Sequence, residues 1–157
     1  MGLAIRPALA DDLETLLEIQ REAAVAAFGH IFPQDSYPFP SDEIREVWRQ
    51  TLADPDIETY IAEVEGEPAG SLSVGGEFLR TLYVLPSRQG SGVGSALHDL
   101  ALERLGARGI LEAKLWTLEE NWDARRFYEK RGWTLTDETR VVPFPPQPLD
   151  VQYAKDL

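Results

Sequence analysis

Residues 82–97 read LYVLPSRQGSGVGSAL, and their pattern is the clearest indication of the fold in this sequence. The β-branched and aromatic residues at its start predict a strand that Pro86 ends. Small residues then alternate with three glycines, at Gly90, Gly92 and Gly94. Apolar residues at helical spacing follow at once, so the pattern predicts a strand, a glycine-rich turn and a helix in direct succession.

Glycines at the start of a helix leave the backbone open, with several N–H groups unsatisfied and the positive end of the helix dipole behind them. Such a turn favours a phosphate group. The dinucleotide pattern Gly-x-Gly-x-x-Gly fails, because its third place holds Ser95 or Leu97, and no Gly-Lys-Ser/Thr of a nucleotide triphosphate site follows. A tight turn without a ligand is the alternative.

In and on both sides of this stretch, capping residues and apolar spacing predict helices over residues 11–28, 41–52, 93–109 and 121–132. Asp11 with Glu14, Ser41 and Asn121 are the expected caps. Strands are predicted around residue 5, on both sides of a turn at 65–68, and over 76–86, 110–118 and 133–142, with a last edge strand at 149–157. A crossover between parallel strands in the second half and hairpins in the first predict a mixed sheet.

Length and composition indicate one domain over residues 1–157, with 43% hydrophobic and 27% charged residues. No cysteine and only two histidines, His30 and His98, argue against a disulfide framework and a metal site. No segment has the pattern of a signal peptide or a membrane span, so we expect a cytoplasmic protein without a membrane partner.

The net charge of −12 argues against nucleic acid as a partner. Residues 1–80 carry nearly all of this excess, with a net charge of −11. The apolar, proline-rich segment 29–40 lies in the same half and is expected to wall a pocket. Together these features favour a ligand with an apolar portion and no extra negative charge, unless the acids simply face solvent.

Two motifs about 30 residues apart carry a family resemblance. Residues 89–94 match Gln/Arg-x-x-Gly-x-Gly/Ala after a Leu-x-Val-x-Pro strand, and the second motif comprises Asn121, Ala124, Phe127 to Lys130 and Gly132-Trp133. Residues 70–135 thereby closely resemble the GNAT-type N-acetyltransferase superfamily. The resemblance implies an α/β fold with a mixed, mostly antiparallel sheet, a splayed parallel strand pair and flanking helices.

The same resemblance implies acetyl-CoA as co-substrate. Its pantetheine arm would lie along Leu82, Tyr83 and Val84, and its pyrophosphate on the glycine-rich turn and nearby side chains: Arg88, Gln89, Gly90, Ser91, Gly92, Val93, Gly94 and Ser95. Asn121 would contact the cofactor arm as well as cap its helix.

Tyr128 is the predicted general acid, since it lies two helical turns after Asn121 and would protonate the leaving thiolate. The resemblance suggests Glu77, at the head of the strand that leads to the cofactor groove, as the base acting through water. An ordinary turn carboxylate after Gly75-Gly76 is the alternative role for this residue. His30, Glu119, Glu120 or transfer without a dedicated base are alternatives.

The sequence therefore predicts an N-acetyltransferase that moves an acetyl group directly to a primary amine of a small molecule or peptide. The absence of Gly-x-Ser-x-Gly disfavours a serine acyl-enzyme. The alternatives are a different acyl donor, a protein N-terminal or lysine acetyltransferase, and a catalytically silent acyl-CoA sensor. The predicted C-terminal edge strand also suggests a homodimer.

Overall fold

The computed structural model describes residues 2–157, and its elements follow the order predicted from the sequence. Within these residues the helices are α1 Leu13–Phe28, α2 Ser41–Ala53, α3 Val93–Ala107 and α4 Trp122–Glu129. The strands are β1 Leu3–Pro7, β2 Ile57–Val64, β3 Glu67–Gly75, β4 Phe78–Val84, β5 Glu112–Leu118, β6 Thr134–Val141 and β7 Leu149–Asp156.

The strands form one mixed sheet in the order β1-β2-β3-β4-β5-β7-β6. Every neighbouring pair is antiparallel except β4 and β5, which are parallel and are joined by the α3 crossover. The mixed, mostly antiparallel α/β fold predicted from the sequence is thus confirmed.

Each face of the sheet is covered by two helices. On one face, α3 and Tyr128 of α4 pack over Leu72, Leu79 and Leu115. On the other face, α1 and α2 pack over Ile61, whose side chain points away from that of its neighbour Ala62 because side chains alternate along a strand. The two apolar layers hold the sheet between them and leave the middle strands available to build a site.

The turn between β2 and β3 shows how local sequence sets the strand register. Glu65 and Gly66 both have positive φ, 53° and 78°, as a two-residue hairpin turn requires. Glycine adopts this conformation without steric cost. The turn aligns Val64 with Glu67, and the hairpin falls where the sequence predicted it.

Two predicted helix starts are wrong in detail. A short 3-10 turn, Ala10–Asp12, precedes α1, and Asp12 rather than Asp11 accepts the N–H of Leu9, because its carboxylate is also held by Arg6. The residue before α2 is Pro40, and Ser41 is already helical, so its side chain does not cap the helix.

The predicted edge position of the last strand is also wrong. β7 lies between β5 and β6, with Val151, Gln152 and Tyr153 buried, whereas β6 is exposed along most of its length and forms the edge. The more apolar strand takes the covered position. The expectation of a homodimer through a C-terminal edge strand therefore loses its basis.

No helix within residues 2–157 is long and apolar enough to cross a membrane. Over the same residues, no group of three or more histidine, aspartate or glutamate side chains is arranged to hold a metal ion.

Gly70 of β3 allows α3 to approach the sheet. A Cβ atom there would lie 2.6 Å from the carbonyl oxygen of Tyr83 and 3.1 Å from Cδ1 of Leu97. We expect Gly70→Ala to lower the free energy of unfolding by about 1–3 kcal/mol through overpacking. The matched control is Gly106→Ala in α3, where a Cβ meets no atom within 4 Å and should raise that free energy by about 0.5–1 kcal/mol. Urea unfolding measures both, and equal effects would contradict the packing argument.

Candidate active site

A cleft of about 1190 Å³ passes between the α1 and α2 face and the centre of the sheet. Its lining includes the second half of α1, the segment 32–40, β4, the end of β5 and the inner face of α4. The glycine loop, residues 89–95, also contributes to it, and so does the β6–β7 loop through Phe144. The prediction that the proline-rich segment walls a pocket is confirmed.

The cleft exists because β4 and β5 separate. The two strands pair only at Phe78 and Lys114, and no further partners follow toward Val84. On its other side β4 stays paired with β3 as far as Val84. The backbone of residues 82–84 that faces β5 is therefore available to an extended ligand, which can add hydrogen bonds as a further strand would.

The glycine loop is open toward the cleft. Gly90 and Gly92 have positive φ, 76° and 91°, and a Cβ atom at either would meet no atom within 4 Å. Within residues 2–157, the N–H groups of residues 90–95 have no hydrogen-bond partner, and the first partnered N–H is that of Ala96. Free N–H groups at the start of the 15-residue helix α3 suit an anionic ligand.

Arg131 adds positive charge beside this loop. Its guanidinium donates to Ser95 Oγ at 2.6 Å and lies over the Phe127 ring, 3.6 Å from the centroid. It also lines the cleft. Local sequence gives no signal for Arg131, because this residue lies 36 residues after Ser95. Only the packing of α4 and its following turn against α3 brings Arg131 and Ser95 together.

Tyr128 lies in the wall of the cleft. Its ring is buried among Phe127, Trp133 and His98, with centroid distances of 5.2, 5.9 and 6.5 Å. Its hydroxyl makes no hydrogen bond to any group in residues 2–157. Burial raises the pKa of this phenol above its usual value, so the hydroxyl keeps its proton at neutral pH.

Most of the predicted site residues line the cleft together. These are Leu82, Tyr83, Val84, Gln89, Gly90, Gly92, Gly94, Ser95, Asn121 and Tyr128. Asn121 also caps α4 as expected, accepting the N–H of Ala124 at 3.4 Å.

Four predicted residues do not line the cleft. Val93 is fully buried in the core, and Ser91 donates its hydroxyl to the carbonyl oxygen of Arg88. Arg88 itself ends the short 3-10 turn before the glycine loop. Glu77 lies in the β3–β4 turn, where its carboxylate pairs with Lys114 at 3.0 Å. The structure therefore does not bring Glu77 together with Tyr128.

The charges that do line the cleft come from residues the sequence analysis did not single out. They are Arg80, Asp123, Arg131, Arg140 and Asp150. None of the acids of residues 2–80 lines it. Several of them instead pair with arginines elsewhere, as Glu14 does with Arg45 and Glu58 with Arg104 and Arg108. The acidic first half therefore gives no direct attraction for a cationic acceptor.

The family model of the acetyltransferase (GNAT) family matches residues 13–133. An uncharacterized N-acetyltransferase of Archaeoglobus fulgidus is 25% identical over 137 residues, which are 80% of this chain and 89% of that protein. A mycothiol acetyltransferase of Beutenbergia cavernae is 46% identical over 56 residues, but these span 34% of this chain and 19% of that protein.

Solved structures have the same fold. The PaiA N-acetyltransferase of Thermoplasma acidophilum, in complex with coenzyme A, aligns over 100% of both chains with a TM-score of 0.77 and 21% identity. YncA of Salmonella typhimurium, solved with acetyl-CoA, aligns over 100% of this chain and 95% of its own, with a TM-score of 0.72 and 19% identity.

His98 couples this wall of the cleft to pH. Its Nε2 accepts a hydrogen bond from Trp133 Nε1 at 2.9 Å, so the ring is neutral, and its buried Nδ1 has no hydrogen-bond partner in the described chain. Burial lowers the pKa of His98 below its ordinary value of 6.5. The folded state then binds fewer protons at this site than the unfolded chain does, and stability is lost as pH falls below about 6.5.

We expect His98→Gln to lose less thermal stability than the wild type between pH 7.5 and pH 5.5, in melting curves recorded across that range. The control is Ile61→Val, which loosens the opposite apolar layer without removing a titratable group and should leave the wild-type slope unchanged. The titration of carboxylates is common to all three proteins and cancels in the comparison. Parallel curves for the wild type and His98→Gln would contradict this role of His98.

Proposed function

This chain belongs to the acetyltransferase (GNAT) family, and from that membership and the geometry of the cleft we propose that it transfers the acetyl group of acetyl-CoA directly to a primary amine of a small molecule or peptide. It is an N-acetyltransferase, with acetyl-CoA as its co-substrate. The observation that carries the proposal is the continuity of the cleft from the free N–H groups of the glycine loop, past the exposed backbone of β4, to the hydroxyl of Tyr128.

The residues present fit the cofactor. The N–H groups of residues 90–95 would hold the pyrophosphate, and no Cβ atom at Gly90 or Gly92 obstructs its approach. Arg131, which lines the cleft, would add a charge-assisted contact to the phosphates. The backbone of residues 82–84 and the Asn121 side chain would bind the amides of the pantetheine arm.

The bound cofactor supplies an acetyl thioester, whose acetyl group an amine can attack. Tyr128 would then donate its phenolic proton to the departing sulfur. Two features of the site support this role: the hydroxyl has no competing partner within residues 2–157, and burial keeps it protonated at neutral pH. The positive charge of Arg131 favours the phenolate that the donation leaves behind, so it assists the same step.

The acceptor would occupy the part of the cleft that faces α1, the segment 32–40, α2 and the β6–β7 loop. Apolar side chains of these elements offer a surface for an aliphatic or aromatic body: Phe28, Phe32, Tyr37, Phe39, Val47 and Phe144. The cytoplasmic location and the absence of a nucleic-acid partner remain predictions.

The Tyr128→Phe variant keeps the packing of the ring and removes only the hydroxyl. We expect turnover with acetyl-CoA and an amine to fall on the order of 10²–10⁴-fold, with little change in acetyl-CoA affinity. Thiol release measures turnover, and calorimetry measures affinity. The control is Tyr60→Phe, which removes a hydroxyl bound to Glu58 outside the cleft and should leave turnover unchanged. If the protein bound acetyl-CoA but released no free thiol from it in the presence of any amine, the result would favour the silent sensor.

The glycine loop is tested by Gly92→Val. The side chain strains a residue with φ of 91° and projects into the space assigned to the pyrophosphate, so the rise in melting temperature on adding acetyl-CoA should be largely lost. Gly76→Val is the matched control, because Gly76 also has positive φ, 59°, and open space around its Cβ position, but lies outside the cleft. A folded Gly92→Val protein with the full rise would place the phosphates elsewhere.

A further inference from the structure

Asp150 is a buried carboxylate that has no role in cofactor binding or in proton donation to sulfur. It lies near the start of β7, directly opposite Leu118 of β5 and Arg140 of β6, and it lines the cleft. The residue is 7% exposed. Its Oδ2 accepts a hydrogen bond from Arg140 Nε at 3.0 Å, while within residues 2–157 no donor binds Oδ1. A carboxylate oxygen is thus free for a ligand in the cleft.

The surroundings of Asp150 keep it in place and connect it to the reacting end of the cleft. Arg140 is itself held over the Trp116 ring, 4.4 Å from the centroid, so the ion pair has a fixed support. Tyr83 of β4 is close enough for the charge of Asp150, after burial, to help raise the Tyr83 pKa to about 12. Tyr83 in turn acts on the pKa of Tyr128. Asp150, Tyr83 and Tyr128 all line the same cleft.

From this arrangement, and on the basis of the function proposed above, we propose that Asp150 binds the charged amine of the acceptor and removes its proton before transfer. The acceptor arrives as an ammonium ion and donates an N–H to the free Oδ1. The N–H bond breaks with its electron pair left on nitrogen, and the proton forms an O–H bond on Asp150. Asp150 then returns the proton to water, and the neutral amine holds the lone pair that attack requires.

The other candidates for this role either lie apart from the cleft or are exposed and paired with another residue. Glu77 is bound to Lys114 in the β3–β4 turn. His30 binds the carbonyl oxygen of Glu120, and these two residues and Glu119 line a separate small pocket. Asp123 lines the cleft, but it pairs with Arg126 and its side chain is 95% exposed. Among the acids of residues 2–157 that line the cleft, only Asp150 is buried.

The test compares Asp150→Asn with the wild type in thiol release, using a fully protonated alkylamine at pH 7. We expect kcat/KM to fall on the order of 10²–10⁴-fold, the usual contribution of a positioned base. The deficit should shrink as pH rises or when a weakly basic amine, already neutral at the assay pH, replaces the alkylamine. Asn keeps the size of the side chain and can still accept from Arg140, so acetyl-CoA binding should be unchanged.

Asp156→Asn is the matched control, since it removes an exposed carboxylate from the same strand and should leave kcat/KM unchanged. Unaltered activity of Asp150→Asn, or a deficit of the same size for every amine and pH, would overturn the proposal. Failure of the wild type itself to release thiol with any amine would instead overturn the function on which the proposal rests.

A second variant tests the proposal independently of Asp150→Asn. Arg140 from β6 pairs with Asp150, and Leu118 from β5, opposite Asp150, is uncharged. Tyr83 from β4 lines the same cleft, and the charge of Asp150 helps to raise its pKa. Burial raises the Asp150 pKa and Arg140 opposes that rise. Removing the guanidinium in Arg140→Met should therefore move the acidic limb of the kcat/KM profile to higher pH. If the acidic limb did not move, that limb would not report the titration of Asp150. The identification of Asp150 as the proton acceptor would then be overturned.

Discussion

The separation of two parallel strands is the constraint on which the rest of this site depends. β4 and β5 stay together at a single pair of residues and then diverge, although each keeps a full antiparallel partner on its outer side. Backbone groups left free in the middle of a sheet are costly unless a ligand or water satisfies them. The sheet therefore accepts a local loss of pairing where it creates a binding groove, and the surrounding pairs hold that groove open.

The elements around this gap each supply a different kind of group. The turn after β4 supplies free N–H groups, and α4 with the turn that follows it supplies Tyr128 and Arg131. The β6–β7 side supplies the ion pair of Arg140 and Asp150. Neutral and charged groups are thus spread along one cleft rather than gathered at one point. This division suits a ligand with a highly charged end, a polar arm and a reactive end, because each part meets groups of matching chemistry.

The sequence predicted the part of the site that is local in the chain and missed the part that is not. The glycine loop and Tyr128 belong to contiguous strand-turn-helix segments whose side-chain pattern reports their geometry. Arg140 and Asp150 are neighbours on consecutive strands, but they reach the cleft only because β7 also pairs with β5, an order that no local pattern encodes. The same reason made the last strand an expected edge. Glu77 was expected near the reaction because it precedes β4, but β4 begins beside Lys114, which binds its carboxylate.

The position of β7 also has a consequence for how the molecule assembles during synthesis. β6 precedes β7 in the chain, yet in the described residues β7 is the only strand that pairs with β6. β7 also pairs antiparallel with β5 along the whole length of β5. Chains emerge from the ribosome in order, and contacts near in sequence form first. The β4–α3 unit with its glycine loop can therefore form before residues 149–156 are present, whereas β5 and β6 lack their shared neighbour β7 until then. The glycine loop thus depends on contacts that are near in sequence, whereas the wall that carries Asp150 depends on residues 149–156.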